Sequence, residues 1–116
     1  MNNPLEELTL KLRDFAAERH WEPFHSPKNL AAALSVEAAE LLEHFQWLTE
    51  EESRRLSGDK QDAVALEAAD VLLYLLQLTD KMGIDLLAAA QHKLELNRQK
   101  YPVDAARGTS RKYTEL

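Results

Sequence analysis

Two pairs of acids spaced three residues apart, Glu37 with Glu40 and Glu67 with Asp70, are the side chains here best suited to hold a metal ion. Residues three apart on a helix share a face, with Cβ atoms about 5–6 Å from each other. If the two helices that carry these pairs pack antiparallel, four carboxylates converge. Like charges at that range raise one another's pKa and cannot all stay ionised without a cation between them. Oxygen-only ligands suit a hard ion, and carboxylates combined with substrate phosphates are the usual cradle for Mg2+. Glu37 or Glu40 could also accept a proton from an attacking water.

Spacing alone is a weak signal. The chain holds 20 acids in 116 residues, and Glu40/Glu43 and Asp59/Asp62 repeat the same step. A solvated helix face explains such pairs equally well. Their surroundings weigh the other way. Asp70 falls in Val64-Ala65-Leu66-Glu67-Ala68-Ala69-Asp70-Val71-Leu72-Leu73, and Glu37 and Glu40 are set among Ala, Val and Leu. Acids in so apolar a run need a compensating partner. A di-iron bundle would require Glu-x-x-His on two helices. The one match, Glu22 to His25, contains Pro23, so that reading is poor.

Aromatic and basic residues supply what a nucleotide would need beside such an ion. Trp47 continues the stripe of Glu37, Glu40 and His44 at helical steps, where it could stack a base. Trp21, Phe24 and His25 precede the second helix and could form the opposite wall; all could equally be core. Lys93, Asn97, Lys100 and Tyr101 share a face further on, suited to phosphate oxygens or simply to solvent. Arg107, Arg111 and Lys112 in the tail are open to the same two readings.

Helices must position these groups. The chain is rich in strong helix formers, and three Gly and four Pro leave little turn chemistry for a sheet. The fold class is therefore all-α, and 116 residues make one domain, 1–116. Periodicity predicts helices over about 4–19, 27–48, 60–82 and 86–101, with a short one over about 50–56. Ser26, Thr49 and Asp85 read as N-caps, Pro27 as a first helical residue, and Gly83 as a left-handed stop. Residues 103–116 read as a polar tail. The second and third long helices are apolar over most of their circumference, which predicts burial by a partner subunit.

Composition removes other classes. A net charge of −6 argues against a nucleic acid polymer as partner, though not against a small polyphosphate bridged by a cation. With no cysteine there is no disulfide and no thiolate zinc site. The start lacks a signal-peptide pattern and no apolar run approaches membrane-spanning length, so no membrane partner and a cytoplasmic address are expected.

Beyond the acid pairs, Phe15-Ala16-Ala17-Glu18-Arg19-His20-Trp21, Phe24-His25-x-Pro27-Lys28-Asn29-Leu30 and Phe45-Gln46-Trp47 form distinctive blocks. So do Asp70-Val71-Leu72-x-Tyr74-Leu75, Asn97-Arg98-x-x-Tyr101-Pro102 and Ser110-Arg111-Lys112-Tyr113-Thr114-Glu115-Leu116. Together with Glu-x-x-Glu and Glu-x-x-Asp, they resemble the MazG-like all-α nucleotide pyrophosphohydrolases, in their dCTP pyrophosphatase branch. The resemblance implies an oligomeric four-helix bundle, a tetramer or dimer, that hydrolyses a deoxynucleoside triphosphate to monophosphate and pyrophosphate with Mg2+. It implies metal binding by Glu37, Glu40, Glu67 and Asp70. Substrate contacts would come from Trp21, His25, Lys28, Asn29, Trp47, Tyr74, Lys93, Asn97 and Tyr101. Leu12 stands where relatives can carry His, which bears on base selection and not on hydrolysis. Besides dCTP or a modified dCTP, the open alternatives are another triphosphate such as dUTP or a damaged nucleotide, and a non-catalytic helical interaction module.

Overall fold

The computed structural model describes residues 3–116, which form α1 (Pro4–Glu18), α2 (Pro27–Glu43), α3 (Glu50–Ser53), α4 (Gly58–Lys81), α5 (Leu86–Lys100) and α6 (Val103–Ala106). Two 3-10 turns, Glu22–Phe24 and Tyr113–Glu115, complete the secondary structure, and the described residues include no strand. The all-α expectation holds. None of these helices is long and apolar enough to cross a membrane.

The helix starts are written in local hydrogen bonds. Ser26, Ser57 and Asp85 each accept a backbone N–H from the residue three places on, satisfying one of the free donors of a first turn. Asn3 with Glu6, and Thr49 with Glu52, form reciprocal capping boxes. Gly83 adopts φ 65° after α4, as its place in the sequence predicts.

The chain falls into two compact units, divided between Gly83 and Ile84. In the first, α4 is the central element: α2 packs along it most extensively, and α1 packs on it as well. Leu30 and Leu76 are its fully buried side chains, joined by Ala16 and the Thr79 hydroxyl, which bonds back to the Leu75 and Leu76 carbonyls. Arg13 on α1 grips Asp80 on α4 with a two-pronged ion pair, Nε to Oδ2 at 2.9 Å and a terminal nitrogen to Oδ1 at 2.5 Å. This pair fixes where α1 crosses the end of α4. The second unit, Ile84–Leu116, holds α5, α6 and the final 3-10 turn. There the Tyr113 ring packs edge-on to Tyr101 at 6.3 Å, and the Lys100 ammonium lies 4.9 Å from the Tyr113 ring.

Three boundaries differ from the sequence reading. The second helix stops at Glu43, because His44 closes a tight turn onto the Leu41 and Leu42 carbonyls and the chain continues in turns to Leu48. The short third helix stops at Ser53, short of Leu56. The tail also has structure of its own: α6 and the final 3-10 turn interrupt it, and aromatic contacts draw Tyr113 back to the end of α5.

The Asp80 carboxyl is held below its ordinary value of 3.8 by the Arg13 hydrogen bonds, against the effect of its burial. A lowered folded pKa stabilises the protein above pH 3.8 and loses that contribution as acid protonates the folded carboxylate. Asp80→Asn is therefore expected to lower Tm by roughly 2–5 °C near neutral pH. In thermal melts the difference from wild type should shrink as pH falls below that range.

Candidate metal centre

The site is built in the first unit from one face of α2 and one face of α4. Carboxylate oxygens of Glu37, Glu67 and Asp70 lie within 4.8 Å of one another, which brings three of the four expected ligands together. Glu37 and Glu67 are half-buried, and Asp70 is exposed. The apolar run around Asp70 thus does not shelter it in the single chain. Leu66 and Leu72 around it are exposed too, because that flank of α4 has no covering layer.

Glu40 is the fourth acid. It stands beside Glu37, close enough for their carboxyl groups to interact, but outside the three-residue cluster. The electrostatics show what the arrangement costs. The Glu37 carboxyl is pushed above its ordinary 4.5, first by the hydrogen-bonding approach of the Glu67 carboxyl, then by burial and by the charges of Glu67 and Asp70. Glu40 pulls it the other way. Glu37 Oε2 and Glu67 Oε1 are both buried without a hydrogen-bond partner. Buried carboxylate oxygens are rarely left so, since desolvation is not repaid. A divalent cation held there would offset the repulsion among the carboxylates and give the two unpaired oxygens a partner. The all-oxygen donor set fits a hard ion such as Mg2+ or Ca2+ rather than a soft one.

The aromatic residues are positioned by the segment that joins α1 to α2. After Arg19 caps α1, His20 takes φ 54°, a left-handed position usually given to glycine. The Trp21 N–H then bonds back to the Ala16 carbonyl at 3.0 Å, and the His20 N–H to the Ala17 carbonyl at 3.2 Å, the pattern of a Schellman stop. This reversal sets the Trp21 ring edge-on to Phe15 at 5.7 Å and to His25 at 6.2 Å. Arg19 covers the other side of Phe15, 3.6 Å from the ring centroid. Asn29 braces the same segment, its Nδ2 donating to the Phe24 carbonyl at 3.0 Å. Lys28 is exposed on the first turn of α2.

Trp47 departs from the sequence reading. It does not continue the stripe of Glu37 and Glu40, because α2 ends before it, and its side chain is 87% exposed. His44, half-buried, occupies the cap instead. Tyr74 is half-buried on α4, one turn beyond Asp70. In the second unit, Lys93, Asn97 and Tyr101 follow one another at four-residue steps along and just past α5. Asn97 is half-buried and the other two are exposed; the Asn97 carbonyl accepts the Tyr101 N–H.

Sequence reasoning missed one feature. A narrow cleft opens between α1, the segment before α2 and the last turns of α4, with His25, Gln77 and the Arg13–Asp80 pair in its walls. Its ion pair joins residues far apart in the chain, so no local pattern announces it. The Gln77 position on the Glu67/Asp70 face of α4, by contrast, is readable from helical steps.

Residues 32–116 match the MazG-like family. The chain is 45% identical over 114 residues to dCTP pyrophosphatase 1 of Homo sapiens, covering 97% of this chain and 67% of that one, and 42% identical to dCTP pyrophosphatase 1 of Bos taurus. Among solved structures, it is similar to a pyrophosphatase from Archaeoglobus fulgidus, with a TM-score of 0.82 and 43% identity over 88% of this chain and 95% of that one.

Because the folded Glu37 carboxyl binds its proton more tightly than the unfolded one, its charge weakens the metal-free fold as pH rises above 4.5. In chelator, Glu37→Gln should melt above wild type by a margin that widens towards neutral pH and closes in acid. Saturating Mg2+ should reverse the order by stabilising wild type alone. A margin independent of pH, read by thermal melts across that range, would count against a raised Glu37 carboxyl.

Proposed function

This chain belongs to the MazG-like family, and on that premise we propose that it hydrolyses dCTP to dCMP and pyrophosphate, with Mg2+ held by its carboxylate cluster. The activity is proposed from the dCTP pyrophosphatases at 42–45% identity that align with nearly the whole chain. The single observation that carries the metal assignment is the convergence of Glu37, Glu67 and Asp70 with two buried oxygens unsatisfied. A purely structural bundle would gain by replacing such acids with apolar residues. Their retention speaks against the non-catalytic interaction module.

Glu37, Glu67 and Asp70 would hold the ion directly. Bound there, Mg2+ neutralises the triphosphate and lowers the pKa of a water near it. The chain's own groups then have separate tasks. Hydrolysis to monophosphate and pyrophosphate requires water to attack the α-phosphorus while the bond from that phosphorus to the α–β bridging oxygen breaks. The attacking water must lose a proton. Glu40, beside Glu37 but outside the cluster, is the carboxylate left to accept it. Trp21 and His25, held edge-on, would form an aromatic wall for the base, with Tyr74 along the nucleotide. Lys93, Asn97 and Tyr101 supply donors of the kind phosphate oxygens need. Lys28 and Asn29 flank the aromatic segment, Asn29 by bracing it.

We read residues 1–116 as one catalytic domain of a helical bundle that works in the cytoplasm as a homo-oligomer, a tetramer or dimer. Among the described residues only Ala16, Leu30 and Leu76 are buried apolar side chains, whereas Val36, Leu42 and Leu66 on α2 and α4 are 56%, 60% and 72% exposed. Leaving such residues in water forgoes about 1.5–3 kcal/mol for each large apolar side chain, which burial against another copy recovers.

Purified protein with Mg2+ should release pyrophosphate from dCTP, and from dUTP more slowly. Asp70→Ala should abolish both that release and the thermal stabilisation by Mg2+. Glu40→Gln should lower release by roughly 100-fold or more while keeping the Mg2+-dependent shift in Tm. Near-normal release in Asp70→Ala would overturn the metal assignment, and near-normal release in Glu40→Gln would remove Glu40 as the proton acceptor.

A further inference from the structure

The cleft at the end of α4 lies on the helix face that carries the acids. Asp70, Tyr74, Gln77 and Lys81 follow one another at steps of four, three and four, so they stack along one side. Gln77 is seven residues beyond Asp70, about 10 Å along the axis at 1.5 Å per residue. That is the reach of an extended nucleotide from its metal-bound phosphates to the edge of its base. The cleft walls include Thr9, Leu12, Arg13, His25, Gln77 and Asp80.

Three of the polar groups there are already engaged, while Glu22, His25 and Lys81 in the same walls carry no side-chain hydrogen bond to another described residue. Arg13 and Asp80 satisfy each other through both carboxylate oxygens, and the Thr9 hydroxyl donates to the Leu5 carbonyl. Leu12 leaves its part of the wall apolar. Gln77 differs in being half committed. Its Nε2 donates to the Leu73 carbonyl at 3.2 Å, and since a carbonyl can only accept, this bond fixes which way the amide faces. Oε1 and the second N–H remain for a ligand.

The geometry points to Gln77 as the residue that selects the base, favouring a pyrimidine whose edge offers an exocyclic amino donor next to a ring-nitrogen acceptor. The inference rests on the nucleotide reading of the preceding subsection. Cytosine presents that edge: its 4-amino group donates to Oε1, and its N3 accepts from the free N–H. Uracil and thymine present the reverse order, a 4-keto acceptor and an N3–H donor. For a ring held in the same position, matching them would require the amide to flip, which would place Oε1 against the Leu73 carbonyl and lose the 3.2 Å bond. A polar site of this kind discriminates because the wrong ligand leaves its groups unpaired. His25 lines the cleft from the Trp21 side, so the same opening offers a ring wall and a polar edge.

The test measures binding and turnover separately on the full chain with Mg2+. Binding uses α,β-imido analogues of dCTP and dUTP, in which nitrogen replaces the α–β bridging oxygen; turnover is pyrophosphate release from dCTP itself. Gln77→Met and Gln77→Glu keep the size of the side chain, and thermal melts check that each folds. Wild type should prefer the cytosine analogue, and both variants should lose about tenfold of that preference, the worth of one well-made hydrogen bond. Cytosine preference retained in either folded variant, or absent from wild type, overturns the inference. If Gln77 governs the binding preference but wild type releases no pyrophosphate, base selection stands and the hydrolytic reading falls. If wild type binds neither analogue, both fall.

Discussion

Repulsion among Glu37, Glu67 and Asp70 is the constraint around which the first unit is organised. Three carboxylates with oxygens within 4.8 Å, two of those residues each with a buried and unpaired oxygen, oppose the packing of α2 on α4. Folding proceeds against that term because Leu30 and Leu76 bury fully on the same helices, and the repulsion shows in the raised Glu37 carboxyl. The compromise is local and incomplete. A divalent cation bound there would relieve it, so the energetic weakness of the metal-free site and its suitability for an ion would have one origin.

The rest of the unit keeps that face of α4 in use along its length. The Arg13–Asp80 pair pins α1 across the end of α4, and the left-handed turn at His20 swings Trp21 and His25 in beside it. The acids and Gln77 thereby share one face of α4, with the Trp21 and His25 rings on the segment beside it. Rigid placement on a helix suits such an arrangement, since a ligand that bridges distant groups gains only where their spacing is fixed beforehand.

Much of this is legible in the sequence, for reasons that are local. Ser26, Thr49 and Asp85 announce helix starts because a cap bonds within three residues of itself, and Gly83 announces a stop because few other residues accept its φ. The meeting of Glu37 with Glu67 and Asp70 is legible only in part: helical spacing and apolar surroundings single the acids out, and the packing of α2 on α4 brings them together. Trp47 is misplaced by extrapolating the helical stripe, which assumes a helix that His44 ends. Asp70 reads as sheltered because its neighbours are apolar, yet sequence does not say whether an apolar neighbour is itself covered. The Arg13–Asp80 pair and the cleft behind it depend on tertiary contact and leave no pattern to find.

The most direct measurement is calorimetric titration of chelator-treated protein with Mg2+ in two buffers of different ionisation enthalpy at mildly acidic pH. Saturable binding with net release of protons is expected, since the raised Glu37 carboxyl must give up its proton to ligate the ion, together with loss of that binding in Glu67→Ala. Undiminished binding in Glu67→Ala, or binding by wild type with no proton released, would contradict that expectation.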